Sequence, residues 1–595
     1  MLHYILFAFI SLVTSFFLTK LVIKFALLYG LFVKPRPDRW HKTRTALFGG
    51  FSIYFSILIT LILARYIYNI NFNLSLVATF TFFFLLGLID DFFELNSKLK
   101  FISQLLIGVF YIYFSNSSII IFNSTAINDF ISLFWILLIM NSSNLLDNMD
   151  GLLTGTLIIV TFFLGISFNF TSNPSLSLFS FIICASLVSF LYFNFKPAKI
   201  FMGDCGSLPL GFLIAALTIN LVNNKLNQNQ IWYNLLPIFM TAPLLLDVFL
   251  VMIRRSISGR KIYIGGKDHI SHRLVFLGLN EITAVTFIYL VTFSWNILSI
   301  FVLFHFNISF IFLYLFFLFF CTLFLGYILS NLSLYNNEEE LFAYKSARGI
   351  SPSFKKPFFL SRLILNKKII LINLFDSITY IFVLFLLFQV FTIKIYHNLF
   401  IYYFIIKLII SNLFKFHKTS WRLTSTHDIL KIAIVQLISA VIFYFINYGH
   451  NYQIDFYIWD IIISFNLLVF SRISFKLINE FFSRFRRHRK HIVIYGAGDF
   501  GVILSKELFK NTKYNMFPFY FIDDDILKKD TYINSIKVLH TDSSKLSKSL
   551  SKNNIDTLIV SSLKIDDMKI DKLKILLKNN NIKFLRFDFN ISEVI

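Results

Sequence analysis

The sequence predicts a polytopic α-helical membrane protein of about fifteen transmembrane helices, followed by a C-terminal cytoplasmic α/β domain. Three observations carry this. Of 595 residues 57% are hydrophobic, and the mean hydropathy is +0.71, more apolar surface than a soluble chain of this length could bury. The apolar residues come in uncharged runs such as Ile308 to Leu329, long enough to cross a bilayer. After Lys490 the composition turns Lys- and Asp-rich, with short β-type runs.

The first apolar segment, Leu2 to Leu28, is too long for a signal-peptide core and lacks a small-residue cleavage site, so it reads as a retained first helix. About eleven spans precede Tyr335 and about four lie between Ile369 and Ile478. With the N-terminus outside, the inside loops hold Lys34 to Arg44, Lys98 and Lys100, and Lys196 and Lys199. They also hold Arg254 to Arg273, Lys345 to Lys368, Lys415 to Arg422, and Arg484 to Lys490. The outside loops hold little more than Arg65, Lys225 and Lys394. This asymmetry accounts for the formal charge of +23 without nucleic acid and puts the C-terminal domain in the cytoplasm. The three cysteines show no ligand spacing and predict neither a disulfide framework nor a zinc site. The expected division is a first membrane domain over 1–335, a cytoplasmic linker over 336–368, a second membrane module over 369–480 and an α/β domain over 488–595.

Ionisable residues at helix ends within a membrane bundle are costly and point to function. Asp90 and Asp91 end the third span, Lys100 and Gln104 open the fourth, and Asn144, Asp147 and Asp150 close the fifth. Asp204 sits in FMGDCGS before the eighth. A topology drawn from Lys and Arg alone puts all of them at the cytoplasmic face. Gathered carboxylates repel one another, and a hard divalent cation resolves the repulsion. Magnesium takes one or two carboxylates, keeps water and phosphate oxygens, and neutralises charge on a transferring phosphoryl group. Lys100 suits a pyrophosphate, and Gly203 and Gly206 are expected to leave backbone N–H groups open to an anion. The plain alternative is that these acids cap helices or pair with loop Lys and Arg. A further inside loop carries His269, His272 and Arg273, with Arg254, Arg255 and Arg260 before them. The histidine pair is weak as a metal site. As phosphate ligands these side chains make sense, and a solvated basic loop is the competing reading.

Six ordered motifs over Leu2 to Tyr335 resemble the polyprenyl-phosphate N-acetylhexosamine-1-phosphate transferase family: DRWHKTRTALFGG, GLIDD, Lys100 with Gln104, NSSNLLDNMDGL, FMGD and the histidine loop. The resemblance implies transfer of a sugar-1-phosphate from a UDP-sugar to undecaprenyl (polyprenyl) phosphate with Mg2+, giving UMP and starting a surface polysaccharide or cell-wall glycan. It implies Asp90 as the base on the lipid phosphate with Asp91 beside it, and Lys100, Asn144 and Asp147 lining the pyrophosphate and metal site. Asp204 is implied as the principal metal ligand, with Asn144 near the metal. Asp150 and Phe201 are implied as uridine contacts, His269 and His272 as catalytic, and Gly203, Arg273 and His41 as substrate contacts. Two departures stand out. Asn148 stands where many members have Gly, and Ser271 where many have a further His. Both fall toward the sugar side of the site.

In the C-terminal part, strand HIVIY leads into Gly496, Gly498 and Gly501 and then a helix, with Asp523 ending a later strand. That context predicts a Rossmann-like domain and leaves a nucleotide or NAD-like ligand open. This half resembles the N-terminal membrane and Rossmann-like part of nucleotide-sugar 4,6-dehydratases of polysaccharide biosynthesis. No second fingerprint follows, so dehydratase activity is not expected. The expected setting is the bacterial inner membrane, with the active site and C-terminal domain facing the cytoplasm. The expected partners are the UDP-sugar, the polyprenyl phosphate and a second copy of the chain in a homodimer, with no nucleic acid. The competing classes are a membrane transporter and a nucleotide-sugar-sensing scaffold. A transporter should place ionisable groups near the bilayer midplane and show an inverted repeat, and the sequence reading finds neither.

Overall fold

The computed structural model describes residues 2–33, 45–115, 117–120, 122–223, 231–258, 266, 268–277, 279–304, 314, 315, 318, 322, 373, 375–384, 386, 387, 397–414, 426–446, 454–484, 490–510, 516–534, 536–541, 555, 557–561 and 583–587. Eleven helices among these residues are long and apolar enough to cross a membrane, as befits a polytopic membrane protein. The expected span Ile308–Leu329 and the loop beginning at Lys415 lie mostly outside the described residues, and the linker 336–368 lies wholly outside.

The membrane part runs α1 (Leu2–Tyr29), α2 (Gly49–Tyr68), α3 (Leu74–Phe93), α4 (Ser97–Ser115), α5 (Thr125–Leu146), α6 (Leu152–Phe170), α7 (Pro174–Asn194) and α8 (Asp204–Asn223). Short α9 (Ile231–Asn234) and α10 (Leu236–Met240) lead to α11 (Ala242–Ser258), α12 (Ile270–Phe276) and α13 (Glu281–Leu303). Several starts follow capping chemistry. Asn73, Asn173 and Asn280 each accept a backbone N–H of the first turn, and Pro174 sits where the helix needs no N–H.

Small hydroxyl residues draw the helices together. Ser11 Oγ donates to the Ile182 carbonyl at 2.9 Å, Ser15 Oγ to the Ser186 carbonyl at 2.9 Å, and Ser56 and Ser186 share a hydrogen bond of 2.6 Å. These join α1, α2 and α7 where lipid would otherwise leave polar atoms unsatisfied. The most enclosed helix is α8, buried along nearly its whole length. It packs against α2, α3 and α5, so its N-terminus is where their ends meet. Between α1 and α2 a two-stranded pair, β1 (Phe32–Val33) and β2 (Thr45–Ala46), brings the TALFGG segment to the chain before α8. Gly49 N and Gly50 N donate to the carbonyls of Phe201 and Met202 at 2.9 and 2.8 Å.

The second membrane stretch contributes α14 (Phe375–Leu384), α15 (His397–Leu413), α16 (Thr426–Ile446) and α17 (Ile454–Arg484). Two ionisable groups that the sequence analysis passed over lie inside these helices. Lys407 Nζ on α15 lies 2.7 Å from Asp460 Oδ2 on α17, each 1% exposed. Tyr403 Oη and Ser464 Oγ donate to Asp460 Oδ1 at 2.5 and 3.0 Å, and Lys407 Nζ donates to Gln436 Oε1 at 2.8 Å. The charges neutralise each other, which is how a membrane interior tolerates them.

The C-terminal unit is a six-stranded sheet in the order β5-β6-β4-β3-β7-β8, with α18 (Asp499–Lys510) following β3. The strands are β3 (Lys490–Tyr495), β4 (Met516–Asp523), β5 (Tyr532–Ile533), β6 (Ile536–His540), β7 (Thr557–Val560) and β8 (Lys583–Arg586). All pairs are parallel except β5 with β6. Alternate β3 residues sort to opposite faces: Val493 and Tyr495 join one apolar cluster, Ile492 and Ile494 the other. A sheet covered on both faces explains the continuously apolar strands.

Candidate active site

The C-terminal end of α3, the start of α4, the end of α5 and the start of α8 converge. Lys100 Nζ donates to Asp90 Oδ2 at 2.8 Å and also to Asp204 Oδ2. One ammonium group thus joins side chains from α3, α4 and α8. Asp90 Oδ1 accepts the Leu95 N–H at 2.8 Å, which fixes the carboxylate against the turn that links α3 to α4.

Asp91 does different work from its neighbour. Its two oxygens accept the N–H groups of Asp204 and Cys205, both at 2.9 Å, so the first turn of α8 is capped from another helix. This revises the expectation for the FMGD turn. The anion at the start of α8 is the Asp91 carboxylate itself, and the Gly206 N–H is already bonded to the Gly203 carbonyl at 3.1 Å. The same geometry explains Gly203. Its φ is +71°, and a Cβ there would lie 2.6 Å from Asp91 Oδ2. We expect Gly203→Ala to cost at least about 1 kcal/mol from the left-handed backbone alone and to push Asp91 off α8. Melting of the purified protein in detergent, with UMP release measured alongside, checks this. A variant with wild-type melting and full transfer would remove the packing role given to Gly203.

Asp147 follows the last turn of α5, its N–H bonded to the Ser143 and Asn144 carbonyls. Burial first, then the charges of Asp204, Asp91 and Asp150, push its carboxyl up to about 7. Asn144 Nδ2 and Gln104 Nε2 are buried with no protein partner, while Gln104 Oε1 accepts from Asn141 Nδ2 at 3.0 Å. Carboxylates short of positive charge, beside amide donors short of acceptors, suit a hard cation carrying a phosphate. No cage of three or more His, Cys, Asp or Glu exists among the described residues. Magnesium does not need one, because it is commonly held by one or two carboxylates, water and substrate phosphate. The oxygen donors present therefore fit it.

Asp150 lies at a separate feature. Its Oδ2 accepts the Ala198 N–H at 3.1 Å. It also lines a small pocket with Phe195, Lys196 and Glu281, the last two forming an ion pair. Phe201 is half-buried, its backbone tied to Ala46 and Gly49 on either side. His41 lies outside the described residues.

The histidine loop is braced from beneath. His269 Nδ1 lies 2.7 Å from Asp247 Oδ2, and Asp247 Oδ1 accepts the Ile270 N–H at 2.7 Å. A buried carboxylate on α11 therefore sets both the ring and the start of α12. The His269 and His272 rings stand 6.0 Å apart at 76°. Arg255 donates to both oxygens of Asp268 at 2.8 and 2.9 Å, and Arg273 Nε to the Asp268 carbonyl at 2.7 Å. Burial would raise the Asp268 carboxyl, but the Arg255 hydrogen bonds and charge outweigh it and hold it below its usual range. Arg255 and Arg273 are thus buried braces of the loop, which argues against the solvated basic loop for these two side chains. Arg260 lies outside the described residues.

Sequence reasoning missed Asp247 and the Asp268–Arg255 pair. The signal for Asp247 was present, a lone acid in the apolar run APLLLDVFLVM. Asn148 and Ser271 are joined as well: Ser271 Oγ donates to Asn148 Oδ1 at 2.6 Å.

In the C-terminal unit Gly496 has φ +101° and Gly498 faces open space. At Gly501 a Cβ would run into the Gly496 carbonyl, so glycine there lets α18 lie close on β3. Asp523 Oδ2 accepts the Ala497 N–H at 2.7 Å, so that oxygen is turned to the glycine turn rather than left free for a ribose.

Comparison with known proteins bears on the membrane part. The family described as Glycosyl transferase family 4 matches residues 73–222. A probable undecaprenyl-phosphate N-acetylglucosaminyl 1-phosphate transferase of Bacillus subtilis is 29% identical over 49% of this chain and 82% of its own length. A phospho-N-acetylmuramoyl-pentapeptide-transferase of Staphylococcus saprophyticus is 32% identical over 47% of this chain and 93% of its own. Among solved structures, a UDP-D-quinovosamine 4-dehydrogenase from Vibrio fischeri aligns with 17% of this chain and 79% of its own at 24% identity. Its TM-score is 0.16.

Proposed function

The chain belongs to glycosyl transferase family 4, with the polyprenyl-phosphate hexosamine-1-phosphate transferases, and from that membership we propose an Mg2+-dependent transfer of N-acetylhexosamine-1-phosphate from a UDP-sugar to undecaprenyl phosphate. One observation carries the reading: Lys100 joins Asp90 and Asp204 at the N-terminus of α8, and the amide nitrogen of Asn144, in the last turn of α5, is buried with no protein partner. The reaction forms a bond between a lipid-phosphate oxygen and the sugar-bearing phosphorus, and breaks the pyrophosphate bond to UMP. Asp90 takes the proton of the lipid phosphate. Asp204 and Asn144 would hold the metal, with Asp147 as a further carboxylate lining the site. When bound, Mg2+ neutralises charge on the pyrophosphate. Lys100, poised between the two carboxylates, supplies a second positive charge to the same phosphates. Asp91 keeps α8 in place, Asp150 and Phe201 take the uridine, and His269, just before α12, and His272, within it, face the phosphates. Membranes given labelled UDP-sugars, undecaprenyl phosphate and Mg2+ should yield a lipid-linked sugar diphosphate from one donor. Release of UMP from none of them sinks the proposal.

The C-terminal unit is proposed to be Rossmann-like. Its parallel strands run 3-2-1-4-5 from β6 to β8, and the glycine turn lies at the end of the central strand, where such folds take a nucleotide phosphate. A nucleotide or nucleotide sugar bound there would regulate or dock the enzyme without reacting.

We propose that the active site and the C-terminal unit face the cytoplasm at a bacterial inner membrane, a reading supported by the Lys and Arg asymmetry of the loops. Single cysteines near Trp40, Asp204, His269, Lys355 and after Lys490 should resist an impermeant thiol reagent in intact cells, while one near Asn123 should react. Labelling of the His269 loop from outside would break the alternation on which the shared site depends.

A further inference from the structure

The loop that carries Asp147 and Asp150 and the α12 segment, with His269 just before the helix and His272 in it, are joined by a side-chain bridge between residues 123 apart in sequence: Ser271 Oγ to Asn148 Oδ1 at 2.6 Å. Asn148 is committed at both ends, because its Nδ2 donates to the Leu145 carbonyl at 2.8 Å. The amide is therefore oriented by two different partners, with the oxygen toward Ser271. Ser271 is fully buried and Asn148 half-buried. Losing either partner leaves the other polar group to find a new one inside the protein. On the α12 side the bridge pulls on a rigid body, since Asp247 holds His269 and Ile270, and Arg255 holds Asp268. On the other side it ends in the four-residue segment from Asp147 to Asp150.

We infer that the Asn148–Ser271 bridge is a specificity-determining latch, which fixes the spacing between the Asp147–Asp150 segment and the histidine helix and so selects among UDP-hexosamine donors. It rests on the proposed sugar-phosphate transfer. The latch contributes no proton and no metal ligand. It acts through the loops that hold the donor, so its loss changes KM and donor preference more than kcat.

The test uses the purified full-length chain with undecaprenyl phosphate and two donors, UDP-N-acetylglucosamine and its 4-epimer, UDP-N-acetylgalactosamine. Asn148→Ala and Ser271→Ala should each change the ratio of kcat/KM for the two donors by about tenfold, mainly through KM. The double variant should match either single, because the bridge is already gone. Ser271→Thr keeps the hydroxyl and should keep the wild-type ratio. Should the buried Ser271 variants fail to fold, Asn148→Ala alone still reads the ratio. An unchanged ratio in folded single variants, or additive effects in the double, overturns the latch. If the wild-type chain releases UMP from neither donor nor from any other UDP-sugar, the proposed function fails instead.

Discussion

Asp204→Ala and Asp90→Asn are each expected to lower UMP release by at least about a hundredfold, while the protein still inserts and folds. The two side chains meet on the Lys100 ammonium, but they do not bear the same load. Asp204 places its carboxylate at the first turn of α8, where Asp147 and Asp91 already crowd the site with negative charge. Removing it takes away the principal oxygen offered to a cation. The α8 start survives, because its N–H groups are capped by Asp91 and not by the Asp204 side chain. Asp90→Asn keeps the shape and an acceptor for the Leu95 N–H, but it removes the charge that draws Lys100 and the basicity asked of it. Folding is therefore spared in both variants while transfer is lost. Asp91→Ala is the contrasting case: it uncaps α8 and should reduce the yield of folded protein as well as activity. UMP release at constant folded protein separates the two patterns. Near-normal release from Asp204→Ala or Asp90→Asn would falsify the roles given to them.

The sequence could reveal this site because its acids sit at span ends, where hydropathy is interrupted and the side of the membrane can be read from Lys and Arg. It could not reveal what each acid does there. Asp90 and Asp91 are adjacent in a helix and point different ways, one to Lys100 and one to the backbone of α8. Nothing in a dipeptide says which. The same rule also hid residues. By keeping only acids at span ends, it passed over Asp247, inside α11, and the Lys407–Asp460 pair inside the second membrane stretch. A charge within an apolar run is tolerated when a partner on another helix meets it, and such a partner is a tertiary fact. In the C-terminal unit the strands were legible because they are apolar on both faces. The strand order was not, since it depends on where α18 and the other connections return the chain.

That overlooked pair yields the second large effect. Lys407→Met alone is expected to destabilise the protein by about 3–5 kcal/mol, because Asp460 is left as an uncompensated buried charge. The partners that remain cannot replace the ammonium. Tyr403 and Ser464 both donate to Asp460 Oδ1, while Lys407 lies against Oδ2. Asp460→Leu alone should cost a similar amount, since it strands Lys407 among Tyr380, Tyr403 and Gln436. The double variant Lys407→Met with Asp460→Leu should be milder than either single. It removes both desolvated charges together and leaves neutral groups that cost far less to bury. Melting of the purified protein in detergent reads the cycle, and UMP release per folded molecule should stay near wild type in the double, because neither residue belongs to the proposed active site. Singles that melt like wild type would mean water or lipid headgroups reach the pair. A double that is the sum of the singles would mean that Lys407 and Asp460 stabilise their helices independently of each other.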